Sequence, residues 1–285
     1  IPNGEVISVS GREGRFTVRI VRRNLYVDDR ACVGCIDICA SVCPIELPSE
    51  HEFMIGGRKA IYIPFPQAVP LVAKIDTDHC IGCRFCEAAC ERDAIDYFRG
   101  DIEEELEVGS IIVASGIEPF DPSAIPEYGY GLLENVITAP QYERLLSPAG
   151  PTEGRILRPS DGKVPEKVAW IQCVGSRDDE YPCCSSVCCM YATKEAMATS
   201  GERYIFYIDL RSYGKAFEIF YREAKKIGVR YIRGRPGIIL QDRDKNPIIR
   251  FEDTDTGEVS ELKVDLVVLS VGLRPSGTNP GLSRV

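Results

Sequence analysis

The sequence predicts an α/β fold that is interrupted by a small, cysteine-rich α+β domain. Two observations carry this prediction. In the second half of the chain, short apolar runs alternate with helical patterns, which is typical of a parallel sheet. In the first half, two runs of closely spaced cysteines lie between a predicted hairpin and a predicted strand. The length of 285 residues is enough for about two domains of ordinary size.

The N-terminal segment, residues 4–27, predicts a β-hairpin. Apolar and polar residues alternate there, and the glycines of the sequence GREG supply a turn between the two strands. Strand patterns resume at ELEVGSIIVASG, which ends at Gly116. The hairpin and this later strand look like one β-meander that the cysteine-rich segment divides. We assign residues 1–30 and 99–165 to this first domain and a linker, and residues 31–98 to the insertion.

The C-terminal segment, residues 166–285, predicts a second, Rossmann-like domain. Buried strands are predicted at KVAWIQCVG, RYIFYIDL, VRYIRG and VDLVVLSVG. Helices are predicted at SSVCCMYATKEAMATSG and AFEIFYREAKKIG, which end at Gly201 and Gly228. The order of these elements favours a parallel sheet with right-handed crossovers. A β-meander with turns at DRDKN and DTDTGE precedes the last strand.

Composition excludes some classes of function. The net charge of -9 argues against a broad nucleic-acid surface. The sequence has no signal peptide and no apolar run of ~18 residues, so we expect a cytoplasmic protein without direct membrane insertion. The thirteen cysteines are an odd number and cannot all form disulfides. Twelve of them lie in clusters with metal-ligand spacing, which favours thiolate metal sites in a reducing compartment.

The two cysteine runs of the insertion have the spacing of iron–sulfur ligands. They comprise Cys32, Cys35, Cys39 and Cys43, in the pattern C-x2-C-x3-C-x3-C-P, and Cys80, Cys83, Cys86 and Cys90, in the pattern C-x2-C-x2-C-x3-C. In two-cluster ferredoxins the fourth cysteine of each run ligates the other cluster. We therefore predict two [4Fe–4S] sites in a ferredoxin-type domain. Site A consists of Cys32, Cys35, Cys39 and Cys90, and site B of Cys43, Cys80, Cys83 and Cys86.

Two features of these runs bear on the prediction. The first run has one more residue between Cys35 and Cys39 than the second run has at the same place. Zinc also binds C-x2-C pairs, but structural zinc usually takes two ligands from each of two separated pairs. Runs that place three cysteines in one loop favour an iron–sulfur cluster instead.

The sequence CCSSVCC, residues 183–189, stands where a dinucleotide-binding domain has its phosphate loop. That loop needs G-x-G-x-x-G, whereas only Gly175 is present here, and Asp209 lies well beyond the ~20 residues expected for a ribose ligand. Nicotinamide binding at this turn is therefore disfavoured. We predict instead a third cluster, site C, formed by Cys173, Cys184, Cys188 and Cys189, with Cys183 as a spare. A redox-active dithiol and a purely structural set of buried cysteines are the alternatives.

These motifs together resemble the A subunit of heterodisulfide reductase, a flavin and iron–sulfur subunit of a methanogen complex. The resemblance covers nearly the whole chain and is carried by RKAIYIPFPQAVP, the two ferredoxin-type runs, IQCVGSRD, YPCCSSVCCMYATK and YIFYIDLR. It implies a thioredoxin-reductase-like flavoprotein fold, incomplete at both ends, that carries a two-cluster ferredoxin insertion. SIIVASG resembles the A-T-G signature of such flavoproteins, and VVLSVGLRP resembles the matching strand of their second domain.

The resemblance also implies site residues, a function and partners. Cys173, Cys184, Cys188 and Cys189 match the family's extra cluster motif, Gly116 ends the strand of the FAD domain, and Lys194 matches a catalytic lysine near the isoalloxazine. FAD is expected to split an electron pair between ferredoxin and the heterodisulfide of coenzymes M and B on a partner subunit. The implied partners are the other heterodisulfide reductase subunits, a hydrogenase or dehydrogenase donor, ferredoxin and the rest of the flavoprotein.

Three other functions are compatible with parts of the sequence. A quinone-linked or sulfur-metabolism oxidoreductase would use the same cofactors with other electron acceptors. An NAD(P)H-dependent flavoenzyme would need phosphate-binding glycines that are missing at Gly175. A zinc-stabilised interaction module would have no redox activity and would be colourless.

Overall fold

The computed structural model describes residue 1 and residues 3–284. Two compact units are present: one comprises Ile1–Gly116 with the C-terminal residues from Ser276, and the other comprises Ile117–Pro275. The predicted division between residues 165 and 166 falls inside the second unit. None of the helices in residues 1 and 3–284 has the length and apolar character that a membrane span requires.

The first unit contains a three-stranded antiparallel sheet and a cysteine-rich α+β part. Its elements are β1 (Gly4–Arg12), β2 (Arg15–Arg22), α1 (Ile36–Ser41), β3 (Glu46–Pro48), β4 (Gly57–Lys59), β5 (Ile61–Tyr62), β6 (Lys74–Ile75), α2 (Phe85–Ala89) and β7 (Ile102–Val108). Strand β2 pairs with β1 on one side and with β7 on the other. The divided meander predicted from the sequence is therefore confirmed.

The hairpin turn between β1 and β2 depends on a glycine. Gly11 has φ +102°, and a Cβ there would lie 2.3 Å from the carbonyl oxygen of Arg15. Only glycine adopts this conformation without strain and leaves room for the opposite strand. The pattern GREG thus indicated both the turn and the residue type that the turn needs.

The cysteine-rich part folds around a small apolar core of its own. Buried Val27, Ile61 and Ile95 belong to it, together with the thiols of Cys39 and Cys86. Val27 and Ile95 pair in an isolated antiparallel bridge, which joins the beginning and the end of the insertion. Helices α1 and α2 pack against each other. Each cysteine run therefore lies beside the other, as a ligand exchange between the runs requires.

The strand predicted over SIIVASG is wrong. Strand β7 ends at Val108, and residues 110–116 form no strand. Ile112 and Val113 are 90% and 74% exposed. A strand needs a neighbour that pairs with its backbone N–H and C=O groups, and no described strand runs alongside this segment. High β-propensity alone does not supply that partner.

The second unit is built on a five-stranded parallel sheet. The elements from residue 117 onwards are β8 (Ile117–Pro119), β9 (Val136–Thr138), α3 (Ala139–Leu146), β10 (Lys167–Val174), α4 (Cys188–Ala198), β11 (Glu202–Tyr207), α5 (Phe217–Lys226), β12 (Val229–Arg233), β13 (Ile238–Gln241), β14 (Pro247–Asp253), β15 (Glu258–Lys263), β16 (Leu266–Val271), β17 (Leu273–Pro275) and, in the C-terminal segment, α6 (Asn279–Leu282). The strand order is β12-β11-β10-β16-β9. All pairings in this sheet are parallel.

The strands and helices predicted in the second half of the chain are confirmed, including the antiparallel meander β13-β14-β15. The α/β fold class is confirmed with them. The sequence analysis missed β9 and α3, which lie in the segment interpreted as loop. A capping box explains where α3 begins, because Thr138 accepts from the backbone of Gln141 and the Gln141 side chain accepts from the Thr138 N–H.

The two faces of the parallel sheet pack against different layers. On one face, Trp170 meets the ring of Tyr142 edge-on, with the ring centroids 5.4 Å apart. On the other face, Ile171 and Leu269 belong to a core that includes Phe251 of the antiparallel meander. The indole Nε1 of Trp170 donates to the carboxyl of Glu195 on α4 at 2.7 Å. This contact holds α4, whose first residues are Cys188 and Cys189, against the sheet.

Candidate iron–sulfur sites

The four predicted ligands of site A line one cavity with a volume of about 240 Å³. Cys35 precedes α1 as its N-cap and Cys39 lies within α1, whereas Cys90 is the C-cap of α2. The fourth thiol thus comes from the second run, as the exchange between runs predicts. Gly34 has φ +77°, and a Cβ there would lie 2.8 Å from the Leu71 side chain. This close approach explains the glycine inside the C-x2-C loop.

The thiols of site A suit a metal cluster better than a protonated resting state. Burial raises the pKa of Cys39 to about 11, and the charges of Cys86, Cys32 and Cys35 act in the same direction. Bringing several thiolates together in an apolar cavity is unfavourable without a positive charge between them. Iron supplies that charge and replaces the protons, so the donor set and the cavity fit a [4Fe–4S] cluster.

The four predicted ligands of site B also line one pocket, although it is much smaller. Cys43, Cys80, Cys83 and Cys86 surround a space of about 10 Å³, together with Tyr97. The free space between these thiols is room for about one water molecule. Burial raises the pKa of Cys86, whereas the nearby hydroxyl of Tyr97 lowers it. The donor set therefore fits, in a more compact arrangement than site A.

The loops of sites B and C point backbone N–H groups at cysteine sulfur. Gly82 donates to Cys80 Sγ at 3.5 Å, and Ser186 donates to Cys184 Sγ at 3.3 Å. Such donors stabilise negative charge on a ligating thiolate.

His79, next to Cys80, pairs with Asp76 at 3.1 Å instead of facing the cysteines. Within residues 1 and 3–284, no three Cys, His, Asp or Glu side chains are grouped to hold one metal ion.

The four predicted ligands of site C lie near the end of β10, in the loop before α4 and at the first two residues of α4. Burial, together with the charges of Cys173, Cys188 and Cys184, raises the pKa of Cys189 to about 11. Cys173, Cys188 and Cys189 are buried, whereas Cys183 is exposed. Four thiols that influence one another in this way fit a cluster, because each iron of a cubane takes one thiolate.

An irregularity in β10 accompanies this convergence. The register between β10 and β16 shifts between Ile171 and Val174. Within the shifted stretch, Cys173 has φ +60°, a left-handed conformation that is uncommon for residues other than glycine. A bulge of this kind re-aims a side chain that regular alternation would send elsewhere. The residue of β10 with the strained backbone is therefore the one whose thiol is assigned to site C.

Positive charge surrounds site C. Arg177 donates to both carboxylate oxygens of Asp209, and Arg211 contacts the same carboxylate at 3.3 Å. Burial raises the pKa of Cys173, but the charge and hydrogen bond of Arg177 oppose this effect. Guanidinium groups stay protonated at all ordinary pH values. They therefore offset part of the negative charge that four thiolates bring together.

The turn after β10 is filled by protein side chains. Gly175 has φ +68°, and a Cβ there would lie 2.2 Å from the ring of Phe120. Arg274 donates to the carbonyl oxygen of Gly175 at 2.7 Å and stacks on Tyr181 with its guanidinium carbon 3.5 Å from the ring centroid. A dinucleotide phosphate needs close access to this backbone. The packing agrees with the missing glycines in disfavouring a nicotinamide site here.

The two residues predicted to contact a flavin lie in different units. Lys194 is on the exposed side of α4, and its ammonium group donates to both carboxylate oxygens of Glu143 at 2.8 and 2.9 Å. Gly116 has φ +77° with open space around its Cα. Their contact with FAD stays a prediction.

Comparison with known proteins places the second cysteine run in a class. A family model described as a 4Fe-4S binding domain matches residues 73–96, which include Cys80, Cys83, Cys86 and Cys90. The chain therefore contains a ferredoxin-type [4Fe–4S] domain, joined to an α/β unit.

Three relatives identify the family. The A-type iron–sulfur subunit of CoB–CoM heterodisulfide reductase from Methanocaldococcus jannaschii is 50% identical over 294 residues, which cover 100% of this chain and 45% of the relative. The A-type subunit of the H(2):CoB–CoM heterodisulfide,ferredoxin reductase from Methanothermobacter marburgensis is 47% identical, covering 96% of this chain and 43% of its own length. One A-type iron–sulfur subunit of the CoB–CoM heterodisulfide reductase from Methanopyrus kandleri is 52% identical, with coverages of 95% and 42%. The chain is a homologue of heterodisulfide reductase A subunits and spans less than half of their length.

Two thioredoxin reductases are among the solved structures that match part of this chain. The enzyme of T. acidophilum has a TM-score of 0.35 at 15% identity, covering 61% of this chain and 47% of that one. The enzyme of Lactococcus lactis has a TM-score of 0.35 at 16% identity, with coverages of 76% and 65%.

Proposed function

We propose that this chain is the electron-transfer part of a heterodisulfide-reductase-type oxidoreductase, with one [4Fe–4S] cluster at each of sites A, B and C. One observation carries the proposal: the four cysteines of site A line one cavity, the four of site B line one pocket, and at site C the charges of Cys173, Cys184 and Cys188 act on Cys189. The names of the relatives, which are subunits of reductases acting on the CoB–CoM heterodisulfide, agree with it.

The clusters supply the chemistry of one-electron transfer. The residues of the chain would hold the thiolates that ligate the clusters. At site A, the apolar side chains of Ile61 and Ile95 line the cavity beside the cysteines. At site C, Arg177 adds positive charge beside Cys173. These environments differ in polarity and charge, and both properties set the potential of a cluster.

The finer parts of the proposal concern the whole protein. We infer that FAD binds with contributions from Gly116 and Lys194, and that it divides electrons between ferredoxin and the heterodisulfide on a partner subunit. Lys194 would stabilise the reduced, anionic flavin through its positive charge. Other subunits of the complex and a hydrogenase or dehydrogenase would supply the electrons. What supports this inference is the sequence resemblance, together with relatives that are named for H(2) and ferredoxin.

The first test is the content of iron, acid-labile sulfide and zinc per chain in protein purified without oxygen. We expect about twelve irons, four for each of three cubane clusters. An iron content of about eight per chain would agree with clusters at sites A and B and would contradict a cluster at site C. Zinc with little iron would refute the electron-transfer function and favour a zinc-stabilised module.

A matched pair of variants tests site C directly. Cys183 and Cys184 are neighbours, but only Cys184 is a proposed ligand. We expect Cys184→Ala to lose about four irons and Cys183→Ala to keep the full number. Equal iron contents in the two variants would contradict the assignment. A second pair of variants tests the exchange between the two runs. Cys90→Ala should remove the cluster at site A, and Cys43→Ala should remove the cluster at site B.

A further inference from the structure

Site B has a tyrosine hydroxyl against one of its ligands. The hydroxyl oxygen of Tyr97 lies 3.2 Å from Cys86 Sγ. Tyr97 also lines the pocket that the four thiols of site B share. We propose that Tyr97 is a positioning residue that raises the reduction potential of the cluster at site B through a hydrogen bond to Cys86. This inference rests on the proposed cluster at that site.

The direction of the hydrogen bond follows from the chemistry of the two groups. Between a thiol and a phenol either atom can donate. A cysteine that ligates iron is a thiolate and has no proton. The ordinary pKa of tyrosine, near 10, keeps the hydroxyl protonated at neutral pH. Once iron is bound, the Tyr97 hydroxyl is therefore the donor and Cys86 Sγ is the acceptor.

The fold holds the Tyr97 ring in place independently of its hydroxyl. The preceding residue, Asp96, donates its backbone N–H to the carbonyl of Tyr26 at 3.0 Å, next to the bridge between Val27 and Ile95. The rings of Tyr26 and Tyr97 lie 6.4 Å apart. The guanidinium of Arg84 lies over the Tyr97 ring, 5.8 Å from its centroid. These contacts survive the removal of one oxygen atom, so Tyr97→Phe isolates the hydrogen bond.

Reduction adds an electron whose charge is shared by the cluster and its cysteine sulfurs. A donor aimed at a ligating sulfur stabilises the more negative, reduced state and so raises the potential. Site A has a different environment at the matching ligand. Cys39 Sγ faces the carbonyl oxygen of Ile36 at 3.4 Å, and an acceptor gives no such stabilisation. The described residues that line site A include no tyrosine. Site A therefore serves as an internal reference.

The experiment compares Tyr97→Phe with Tyr26→Phe, the same substitution in the neighbouring ring. Iron content is measured first, and each cluster is then titrated by electron paramagnetic resonance under controlled potential without oxygen. Cys43→Ala identifies which signal belongs to site B. We expect Tyr97→Phe to lower the equilibrium constant for reduction of site B about tenfold, which is about 59 mV for one electron. The other potentials, and all potentials of Tyr26→Phe, should stay unchanged.

The outcomes separate this inference from the proposed function. A fully loaded Tyr97→Phe protein with an unshifted site B potential would overturn the tuning role, and so would equal shifts at sites A and B. Loss of iron from site B in Tyr97→Phe alone would also overturn it, because the hydroxyl would then be needed for assembly. If the unsubstituted protein has no iron at site B, the proposed function itself fails at that site.

Discussion

Glu195 makes the stability of the second unit depend on pH. Its side chain is fully buried on α4, with one carboxyl oxygen accepting from Trp170 and the other without a hydrogen-bond partner among the described residues. Burial raises the pKa of Glu195 well above its usual value, and the charge of Glu143 adds to this shift. The hydrogen bond from Trp170 and the charge of Lys194 act in the opposite direction without cancelling it.

The sign of the effect follows from which state binds the proton. Above the pKa of the unfolded chain, near 4.3, the folded state still holds the proton of Glu195 while the unfolded state has lost it. Folding is then coupled to proton uptake, so the free energy of unfolding falls as pH rises. One fully coupled proton contributes about 1.4 kcal/mol for each pH unit. The loss continues until pH reaches the raised pKa of the folded state.

Glu195→Gln removes this proton with almost no change of shape. We expect the free energy of unfolding of the variant to exceed that of the unsubstituted protein increasingly from pH 5 to pH 8, by up to about 1.4 kcal/mol per unit. The assay is the thermal midpoint by circular dichroism at a series of pH values, without oxygen. Glu223→Gln on the exposed side of α5 is the control. Its thermal midpoint should depend on pH in the same way as that of the unsubstituted protein. Parallel curves for Glu195→Gln as well would refute the reasoning.

Two further substitutions test the packing around site C and the entry of α3. Gly175→Ala combines φ +68° with a Cβ 2.2 Å from Phe120, so we expect a loss of about 1–3 kcal/mol and a lower thermal midpoint. Gly237→Ala, whose Cβ meets nothing within 4 Å, should change the midpoint little, and equal losses would contradict this explanation. Thr138→Ala removes half of the capping box with Gln141 and should cost about 1 kcal/mol in denaturant unfolding, whereas an unchanged midpoint would show that the cap is dispensable.

Local patterns in the sequence were sufficient to predict most of the fold. The period of the apolar residues indicated β10, β11, β12 and β16 as well as α4 and α5, because each element buries one face or both. The segment SIIVASG shows where such a pattern fails. Its apolar residues are those of a strand, but a strand also needs a pairing partner, and the residues themselves carry no information about one. The short elements β9 and α3 were missed because they lie in a segment whose Pro and Gly clusters indicated loop.

The sequence by itself predicted the grouping of the cysteines, including the exchange of Cys43 and Cys90 between the two runs, and the same groups line the cavities of sites A and B. Spacing carries that information because loop length limits which thiols can surround one cluster. Only the tertiary structure decided what surrounds the thiols. The bulge that turns Cys173, the pair of Arg177 with Asp209, and the hydroxyl of Tyr97 beside Cys86 depend on contacts between separate elements. Such contacts exist only after the sheet and helices have packed, so no local sequence pattern predicts them.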